Sequence, residues 1–283
     1  MVELASTKRE THIDFPLACS GNSRRFLAGL GHTVAMDEAN VVSARSLTKI
    51  FGPKTAVDGI DLVVGAGERV GLLGPNGAGK TTTLLMLLGA ITPDAGSVEL
   101  AGFSLPKHRT KALARVGFVA GYLPLPENLK VREALAIFAG FYGIRRPERV
   151  ISNAIERFDI GHLAEQQSRE LSSGQRTLVS IVKSTLHQPE LLVLDEPTAS
   201  LDPDVARRVR DSLLDIHREF GTTLLVTSHN MREVETLCER VVIMAKGSIA
   251  ADGSPAEIAT HFGTDDLEGA FLEVAERSRG ASS

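Results

Sequence analysis

The segment between residues 74 and 81 constrains the fold of this chain more than any other feature. It reads Gly-Pro-Asn-Gly-Ala-Gly-Lys-Thr and matches the pattern G-x-x-x-x-G-K-S/T. An apolar run at Arg69–Leu73 precedes it, and a helical pattern at Lys80–Leu88 follows. A strand, a glycine-rich turn and a helix in this order predict a loop whose backbone N–H groups bind phosphate oxygens. The flanking elements disfavour the alternative, an ordinary turn between a strand and a helix.

The side chains of this segment suit nucleotide chemistry. Lys80 can reach the β- and γ-phosphates, the Thr81 hydroxyl can ligate Mg²⁺, and Thr82 is placed for the α-phosphate. Glycines allow consecutive backbone N–H groups to turn inward, and the N-terminus of the helix adds a positive dipole. We therefore predict that nucleotide phosphates are bound by Gly74, Pro75, Asn76, Gly77, Ala78, Gly79, Lys80, Thr81 and Thr82.

An acidic pair follows a second apolar run, Leu191–Leu194. Asp195 and Glu196 are expected at the carboxyl edge of the sheet, where nucleotides bind in such folds. Asp195 is predicted to hold Mg²⁺, directly or through water, and Glu196 to polarise the attacking water. Acidic pairs at strand ends are common at protein surfaces. The assignment therefore depends on the phosphate-binding loop, which we expect after a neighbouring strand.

Short β-branched or leucine-rich runs alternate with longer helical patterns from Val41 onward. Two of the runs are continuously apolar, which is typical of buried parallel strands with helices on both faces, so we predict an α/β fold. The stretch between them, at about residues 122–185, is predicted to be mainly helical. We predict strands at Val41–Ser46, Ile60–Val64, Arg69–Leu73, Ser97–Leu100, Leu191–Leu194, Thr223–Thr227 and Val241–Met244. We predict helices at Lys80–Leu88, Val131–Tyr142, Gly174–Leu186, Asp204–Glu219 and Met231–Glu239.

Composition narrows the class of partner. The chain has 31 Lys and Arg against 35 Asp and Glu, a formal net charge of −4, so it offers no broad cationic field for nucleic acid or lipid. Aromatic residues make up only 5% and Trp is absent, which argues against an aromatic groove for carbohydrate or single-stranded nucleic acid. Cys19 and Cys238 have no disulfide-framework spacing, so a reducing compartment is favoured.

Neither a membrane span nor an export signal is predicted. The densest apolar stretch, Leu84–Ile91, is far shorter than the ~20 residues that a spanning helix needs, so the chain is not expected to cross a membrane alone. Residues 1–39 carry no helical or strand period, so we predict an unstructured N-terminal extension or a true start at Met36. A twin-arginine signal at Ser23–Arg25 is disfavoured, because the segment after it is only weakly hydrophobic.

The segment Leu171–Gln175 carries a resemblance to a known family. It reads Leu-Ser-Ser-Gly-Gln and resembles the LSGGQ signature of ATP-binding cassette (ABC) ATPases, with Ser173 in place of the first signature glycine. It ends 195 − 175 = 20 residues before Asp195, which is the family's usual spacing. By itself the segment would be interpreted as a helix N-cap. Its order and distance favour the family, and the resemblance covers about residues 41–270.

Other family elements follow in order. Ser200–Asp202 resembles the D-loop, and Thr227–His229 resembles the segment of the switch histidine. Phe51 resembles the aromatic residue that stacks on adenine, a contact that needs only the face of a ring. The chain departs from the family after the strand at Val116–Val119, because Gly121 or Tyr122 stands where a glutamine is usual. Coordination of Mg²⁺ is then expected to depend on Thr81, Asp195 and water.

The resemblance implies an architecture and a set of roles. It implies a P-loop NTPase core with a parallel sheet, an antiparallel β subdomain and an inserted helical signature subdomain at about 122–185. The nucleotide-binding domain is expected at 40–270, after an extension at 1–39 and before a C-terminal tail at 271–283. The resemblance makes Glu196 and His229 catalytic, and it assigns Ser172, Gly174 and Asp202 to an ATP site shared with a second subunit.

The resemblance also implies a function. The chain is expected to bind and hydrolyse ATP with Mg²⁺ as a subunit of an ABC transporter, with a lean toward exporters. It would act on the cytoplasmic face of the cell membrane with a separate permease chain and a second nucleotide-binding domain, in a homodimer or heterodimer. No nucleic acid partner is expected. The alternative is a soluble ABC ATPase that remodels a cytosolic complex such as iron–sulfur assembly machinery. A P-loop kinase or GTPase would leave the signature and the histidine unexplained.

Overall fold

The computed structural model describes residues 40–120 and 125–280 of the chain. The strands are β1 (Asn40–Phe51), β2 (Lys54–Gly65), β3 (Arg69–Leu73), β4 (Ala95–Leu100), β5 (Phe103–Ser104), β6 (Val116–Ala120), β7 (Leu191–Asp195), β8 (Thr223–Thr227), β9 (Arg240–Ala245) and β10 (Ser248–Gly253). The α-helices are α1 (Lys80–Leu87), α2 (Arg109–Leu113), α3 (Val131–Phe141), α4 (Pro147–Arg157), α5 (Ser173–Thr185), α6 (Pro203–Phe220), α7 (Met231–Leu237), α8 (Pro255–Phe262) and α9 (Leu267–Gly280).

The larger sheet has the strand order β10-β9-β3-β8-β7-β6. Pairing is parallel from β9 to β6, and β10 is antiparallel at the edge. The apolar residues of β3, β7 and β8 are buried because helices cover both faces of the sheet. This arrangement confirms the predicted α/β fold. The expectation that β3 and β7 are neighbours is wrong, because β8 lies between them.

The smaller sheet is antiparallel, with the order β2-β1-β4-β5, as the resemblance implied. Its two long strands form a hairpin that pairs Asn40 with Gly65 at one end and Phe51 with Lys54 at the other. The predicted strands in this region were about half as long. They stopped early because polar residues such as Lys49 and Asp58 interrupt the apolar pattern near the turn. The hairpin matters because its turn brings Phe51 toward the phosphate loop.

The stretch between β6 and β7 is mainly helical, as predicted. It contains α3, α4 and α5 together with short 3₁₀ turns at Gly161–Leu163 and Ser168–Glu170. Buried side chains of α3 and α4, among them Leu135 and Ile151, belong to the same hydrophobic cluster as Val179 of α5. The predicted start of this subdomain at 122 lies outside the described residues.

The C-terminal part is more ordered than the sequence pattern indicated. β10, α8 and α9 were not predicted, and the expected domain end at residue 270 falls inside α9. Val274 and Ala275 are buried in or beside the core, so this part of the expected tail packs as a helix. The predicted N-terminal extension at 1–39 lies outside the described residues. No helix in the described ranges combines the length and the apolar character that crossing a membrane requires.

Candidate functional site

The loop between β3 and α1 is a backbone cradle fixed by close contacts. Gly74 has φ 152° and Gly79 has φ 108°, both in the region that favours glycine. A Cβ atom at Gly74 would lie 2.4 Å from the Met244 carbonyl oxygen, and one at Gly79 would lie 2.5 Å from the Ala56 carbonyl oxygen. The β9–β10 turn reinforces the cradle, because the Gly247 N–H donates to the Ala78 carbonyl at 3.0 Å. Side chains are therefore excluded where the backbone approaches both sheets.

Lys80 occupies the centre of this cradle. Its buried ammonium donates to the carbonyl oxygens of Gly74 at 2.5 Å and Pro75 at 3.3 Å. Burial lowers the pKa of Lys80, while the nearby carboxylates of Glu196 and Asp195 oppose that shift. A cation held between loop carbonyls and two carboxylates is well placed to meet an anionic group that enters the cradle.

A cavity of about 270 Å³, here called the phosphate cavity, brings three parts of the chain together. The hairpin of the small sheet contributes one wall, the phosphate loop the floor, and the end of β7 the opposite side. Phe51 is 47% exposed, and the Lys49 ammonium lies 5.5 Å from the centre of its ring. The residues lining the cavity are Phe51, Lys54, Ala56, Asn76, Gly77, Ala78, Gly79, Lys80, Thr81, Thr82, Asp195 and Glu196.

The sequence interpretation missed Lys54 and Ala56 in this wall. Lys54 pairs directly with Phe51 across the turn of the hairpin, and Ala56 belongs to the same strand, β2. A longer hairpin prediction would have brought both to the site. Gly74 and Pro75 do not line the cavity. They lie beneath it and accept hydrogen bonds from Lys80.

The acidic pair is held by the neighbouring strand. Asp195 pairs in register with Thr227 of β8, and its Oδ1 accepts a hydrogen bond from the Thr227 hydroxyl at 2.6 Å. The backbone N–H of Glu196 donates to the Thr227 carbonyl and hydroxyl oxygens, both at 3.1 Å. Glu196 also has φ 52°, an uncommon conformation for a residue with a side chain. Sheet register thus fixes where both carboxylates point.

His229 meets Glu196 directly. Its Nε2 lies 2.6 Å from Oε1 of Glu196, and the two side chains are half and one-third exposed. Glu196 also lines a second cavity, of about 780 Å³, together with His229. Glu196 therefore lies at the wall between two cavities, one containing the phosphate loop and the other containing the histidine.

The signature segment lies apart from this site. Ser172 caps α5, where its Oγ accepts from the Gln175 N–H at 3.2 Å and the Gln175 side chain accepts from the Ser172 N–H at 2.9 Å. Ser172, Gly174 and Asp202 line a separate cavity of about 360 Å³. Gly174 cannot carry a side chain, since a Cβ there would lie 2.7 Å from the Ser200 carbonyl oxygen.

The structure thus sorts the predicted site residues into two groups. Phe51, the loop from Asn76 to Thr82, Asp195 and Glu196 share one cavity, and His229 contacts its edge. Ser172, Gly174 and Asp202 share another. The departure from the family pattern at Gly121 or Tyr122 lies outside the described residues.

Comparisons with known proteins show which family the chain resembles. The family model described as ABC transporter matches residues 57–199. The Nod factor export ATP-binding protein I of Ralstonia nicotianae is 38% identical over 81% of this chain and 72% of its own length. The probable multidrug ABC transporter ATP-binding protein YbhF of Escherichia coli K12 is 34% identical over 91% of this chain and 46% of its own length. A solved structure titled "Structure of ATP binding subunit of ABC transporter" matches with TM-score 0.77 and 25% identity, over 83% of this chain and 99% of that one.

These likenesses favour a transporter subunit over the alternative of a soluble ATPase that remodels a cytosolic complex. A glycine-rich loop, an acidic strand end and a histidine that contacts it lie together in this chain. The chain belongs to the ABC transporter family, as an ATP-binding and ATP-hydrolysing subunit.

Proposed function

We propose that this chain drives export, as one of two ATP-binding subunits on the cytoplasmic face of a separate membrane permease. Proteins of this family work with permease components and dimerise. The names of the two relatives, which refer to Nod factor export and probable multidrug transport, support an exporter. One observation carries the proposal of a paired subunit: the predicted site residues lie in two separate cavities of one chain.

The phosphate loop would bind the triphosphate of ATP. Backbone N–H groups from Asn76 to Thr82, which line the cavity, would contact the phosphate oxygens. Lys80 would exchange its contacts with loop carbonyls for the β- and γ-phosphates, which are stronger acceptors because they carry charge. The half-exposed ring of Phe51 would stack on adenine at the open edge of the cavity.

The residues present fit Mg²⁺ bound together with the nucleotide. The Thr81 hydroxyl and the Asp195 carboxylate line one cavity, and both are oxygen donors of the kind that Mg²⁺ prefers. Two protein ligands suffice, because in nucleotide sites Mg²⁺ takes its other ligands from phosphate oxygens and water. The ion would neutralise charge that develops on the phosphate oxygens. Thr227 would keep Asp195 oriented through its hydrogen bond to Oδ1.

Glu196 is the proposed base. Its carboxylate would take a proton from water while the water oxygen bonds to the γ-phosphorus. The bond from that phosphorus to the β–γ bridging oxygen breaks in line, and ADP leaves with the oxygen. His229 would orient the Glu196 carboxylate across the 2.6 Å contact until ATP binds, and its Nε2–H would then donate to the γ-phosphate instead. This reaction needs no covalent enzyme intermediate.

The cavity lined by Ser172, Gly174 and Asp202, here called the signature cavity, would complete the ATP site of a second subunit. In a head-to-tail dimer, Ser172 and Gly174 of each subunit would contact the γ-phosphate held by the other, and Asp202 would lie at the interface. ATP would then favour the closed dimer, because only the closed state makes both sets of contacts. Loss of the γ-phosphate removes that preference, and the permease would follow the change.

Helix α3 offers a surface for the permease. Phe141 is 77% exposed and Ile137 is 42% exposed, while Leu135 on the opposite side is buried. Exposed large apolar side chains close together on one helix are typical of an interaction surface. The sequence also favours the apolar, proline-containing segment Tyr122–Pro126 as a contact with the permease, and most of this segment lies outside the described residues.

Membrane co-fractionation tests the proposal. The chain should sediment with membranes only when its permease chain is also present. Phe141→Glu should release it to the supernatant without changing its ATPase rate. Leu272→Glu, a matched change at an exposed site on α9, should not. A chain that stays in the supernatant with the permease present would contradict the transporter arrangement and support the cytosolic alternative.

A further inference from the structure

A buried carboxylate lies behind the hydrolysis site and has no role in the scheme above. Glu233 belongs to the first turn of α7, four residues after His229, and is only 1% exposed. Burying a carboxylate away from water is unfavourable unless its oxygens accept hydrogen bonds.

One oxygen of Glu233 fixes the segment on both sides of His229. Its Oε2 accepts from the Ser228 hydroxyl at 2.9 Å, and that hydroxyl accepts from the Asn230 N–H at 3.1 Å. The Asn230 side chain in turn accepts from the Glu233 N–H at 3.3 Å. Both chain neighbours of His229 are thus tied to Glu233, so the backbone position of the histidine depends on this residue.

The other oxygen fixes the segment that follows Glu196. Its Oε1 accepts from the Thr198 hydroxyl at 2.5 Å. Thr198 stands two residues after Glu196, and its carbonyl accepts from the Leu201 N–H at 3.0 Å. This turn leads from Glu196 into Ser200–Asp202, the segment expected at the dimer interface. One carboxylate therefore bridges the loop of the proposed base and the loop of the histidine.

We propose that Glu233 is a positioning residue for hydrolysis: it holds Glu196 and His229 in register and links their geometry to the Ser200–Asp202 segment. This inference rests on the proposed roles of Glu196 and His229. Its physical basis is that a carboxylate accepts two hydroxyl donors at once, whereas a neutral amide has only one oxygen to offer them. A displacement of about 1 Å at a reacting group can reduce turnover roughly 100-fold.

The test is steady-state ATP hydrolysis by the full-length chain, with kcat and KM measured separately. Glu233→Gln keeps the volume and removes one of the two acceptor oxygens. We expect kcat to fall about 10- to 100-fold while KM for ATP stays within about twofold, because the phosphate cavity is untouched. Glu235→Gln is the matched control, since Glu235 is an exposed glutamate on the same helix. It should leave both constants unchanged.

A second pair of variants keeps the test decisive if Glu233→Gln folds poorly. Thr198→Val removes one of the two hydroxyl donors with little change of shape, and it should lower kcat in the same direction. Thr236→Val, at an exposed threonine of α7, should not. If Thr198 acts through Glu233, the double variant should lose less than the product of the two single effects.

The outcomes separate this inference from the proposed function. Glu196→Gln without activity, combined with Glu233→Gln and Thr198→Val at the rate of their controls, would overturn the inference alone. A rise in KM at constant kcat would overturn it as well, since that pattern indicates lost ATP binding. Full turnover by Glu196→Gln would overturn the proposed role of the base and this inference with it.

Discussion

The phosphate cavity and the signature cavity differ in how completely one chain builds them. The phosphate cavity joins a hairpin, a loop and a strand end, with a buried lysine at its centre. The signature cavity presents a helix N-cap, and Ser172 at that cap is exposed. The first contains the groups proposed to bind ATP and activate water, whereas the second, although lined by polar side chains such as Arg208, contains neither the glycine-rich loop nor the acidic pair. The difference suggests that binding belongs to one subunit and that turnover needs two.

The largest expected effect is on turnover in the phosphate cavity. Glu196→Gln removes the proposed base but keeps the shape of the side chain, so hydrolysis should fall about 100- to 10,000-fold. ATP should still bind and should trap the dimer, which phosphate release and size-exclusion chromatography with ATP would measure. Glu190→Gln, at the other end of the same strand and half-exposed, is the control. If Glu196→Gln hydrolysed ATP at the wild-type rate, the catalytic role proposed for this cavity would be wrong.

A smaller effect is expected on ATP affinity. Lys80→Ala removes the ammonium that would meet the phosphates, and a hydrogen bond to a charged group contributes about 1.5–3 kcal/mol. The dissociation constant for ATP should therefore rise roughly 10- to 150-fold in equilibrium titration, at an unchanged unfolding temperature. Lys111→Ala, at an exposed position on α2, should leave affinity unchanged. Equal affinity of Lys80→Ala and the wild type would contradict the assignment of the cradle.

A substitution in the signature cavity should affect ATP hydrolysis and not ATP affinity, the opposite of the effect expected for Lys80→Ala. Ser172→Ala should slow hydrolysis about 10-fold, the loss of one hydrogen bond to a charged group, while binding to the monomer is spared. The substitution also removes a helix cap, which costs about 0.5–2 kcal/mol of stability. Ser254→Ala is a matched control, because Ser254 caps α8 with the same reciprocal contacts to Glu257. A parallel loss of monomer binding by Ser172→Ala would refute a site shared between subunits.

The smallest expected effect is at the edge of the phosphate cavity. Phe51→Leu keeps an apolar side chain but removes the ring face, so ATP affinity should fall only about 2- to 12-fold, the range of one aromatic stack. Phe141→Leu, the same change on α3, should have no effect on affinity. Titration with ATP and with inorganic triphosphate separates the two contributions. If Phe51→Leu also lost affinity for inorganic triphosphate, the ring would support the phosphate loop, and its proposed stack on adenine would be contradicted.

Local patterns predicted those parts of the fold that are continuous in sequence. The bounds of β3 and β8 were predicted correctly, because each is an uninterrupted apolar run between turn signals. The order of the strands was not available from local patterns, since the placement of β8 between β3 and β7 depends on packing across the whole sheet. Helix α4 was missed although its apolar residues have helical spacing, as Ile151 and Ile155 show.

The site shows the same limit. The phosphate loop and the acidic pair were readable because each is a contiguous motif next to a strand. Glu233 was not, since in the sequence it resembles any acidic residue in the first turn of a helix. Its carboxylate accepts hydrogen bonds from Thr198 and Ser228, which reach it from two different loops. Lys54 was missed for a similar reason, because only the register of the hairpin brings it beside Phe51.

The tight backbone contacts of the phosphate loop have a consequence for genetics. A methyl group at Gly74 or Gly79 would push against a carbonyl of a neighbouring element, and one at Gly247 would meet the Ala56 carbonyl at 3.1 Å. Gly74 contacts the backbone of the larger sheet, whereas Gly79 and Gly247 contact the backbone of the smaller one. In a random library screened for chains that accumulate in cells but cannot hold ATP, replacements at Lys80 should therefore be recovered often. Replacements at these three glycines should disappear before the screen, because the chains that carry them would be degraded.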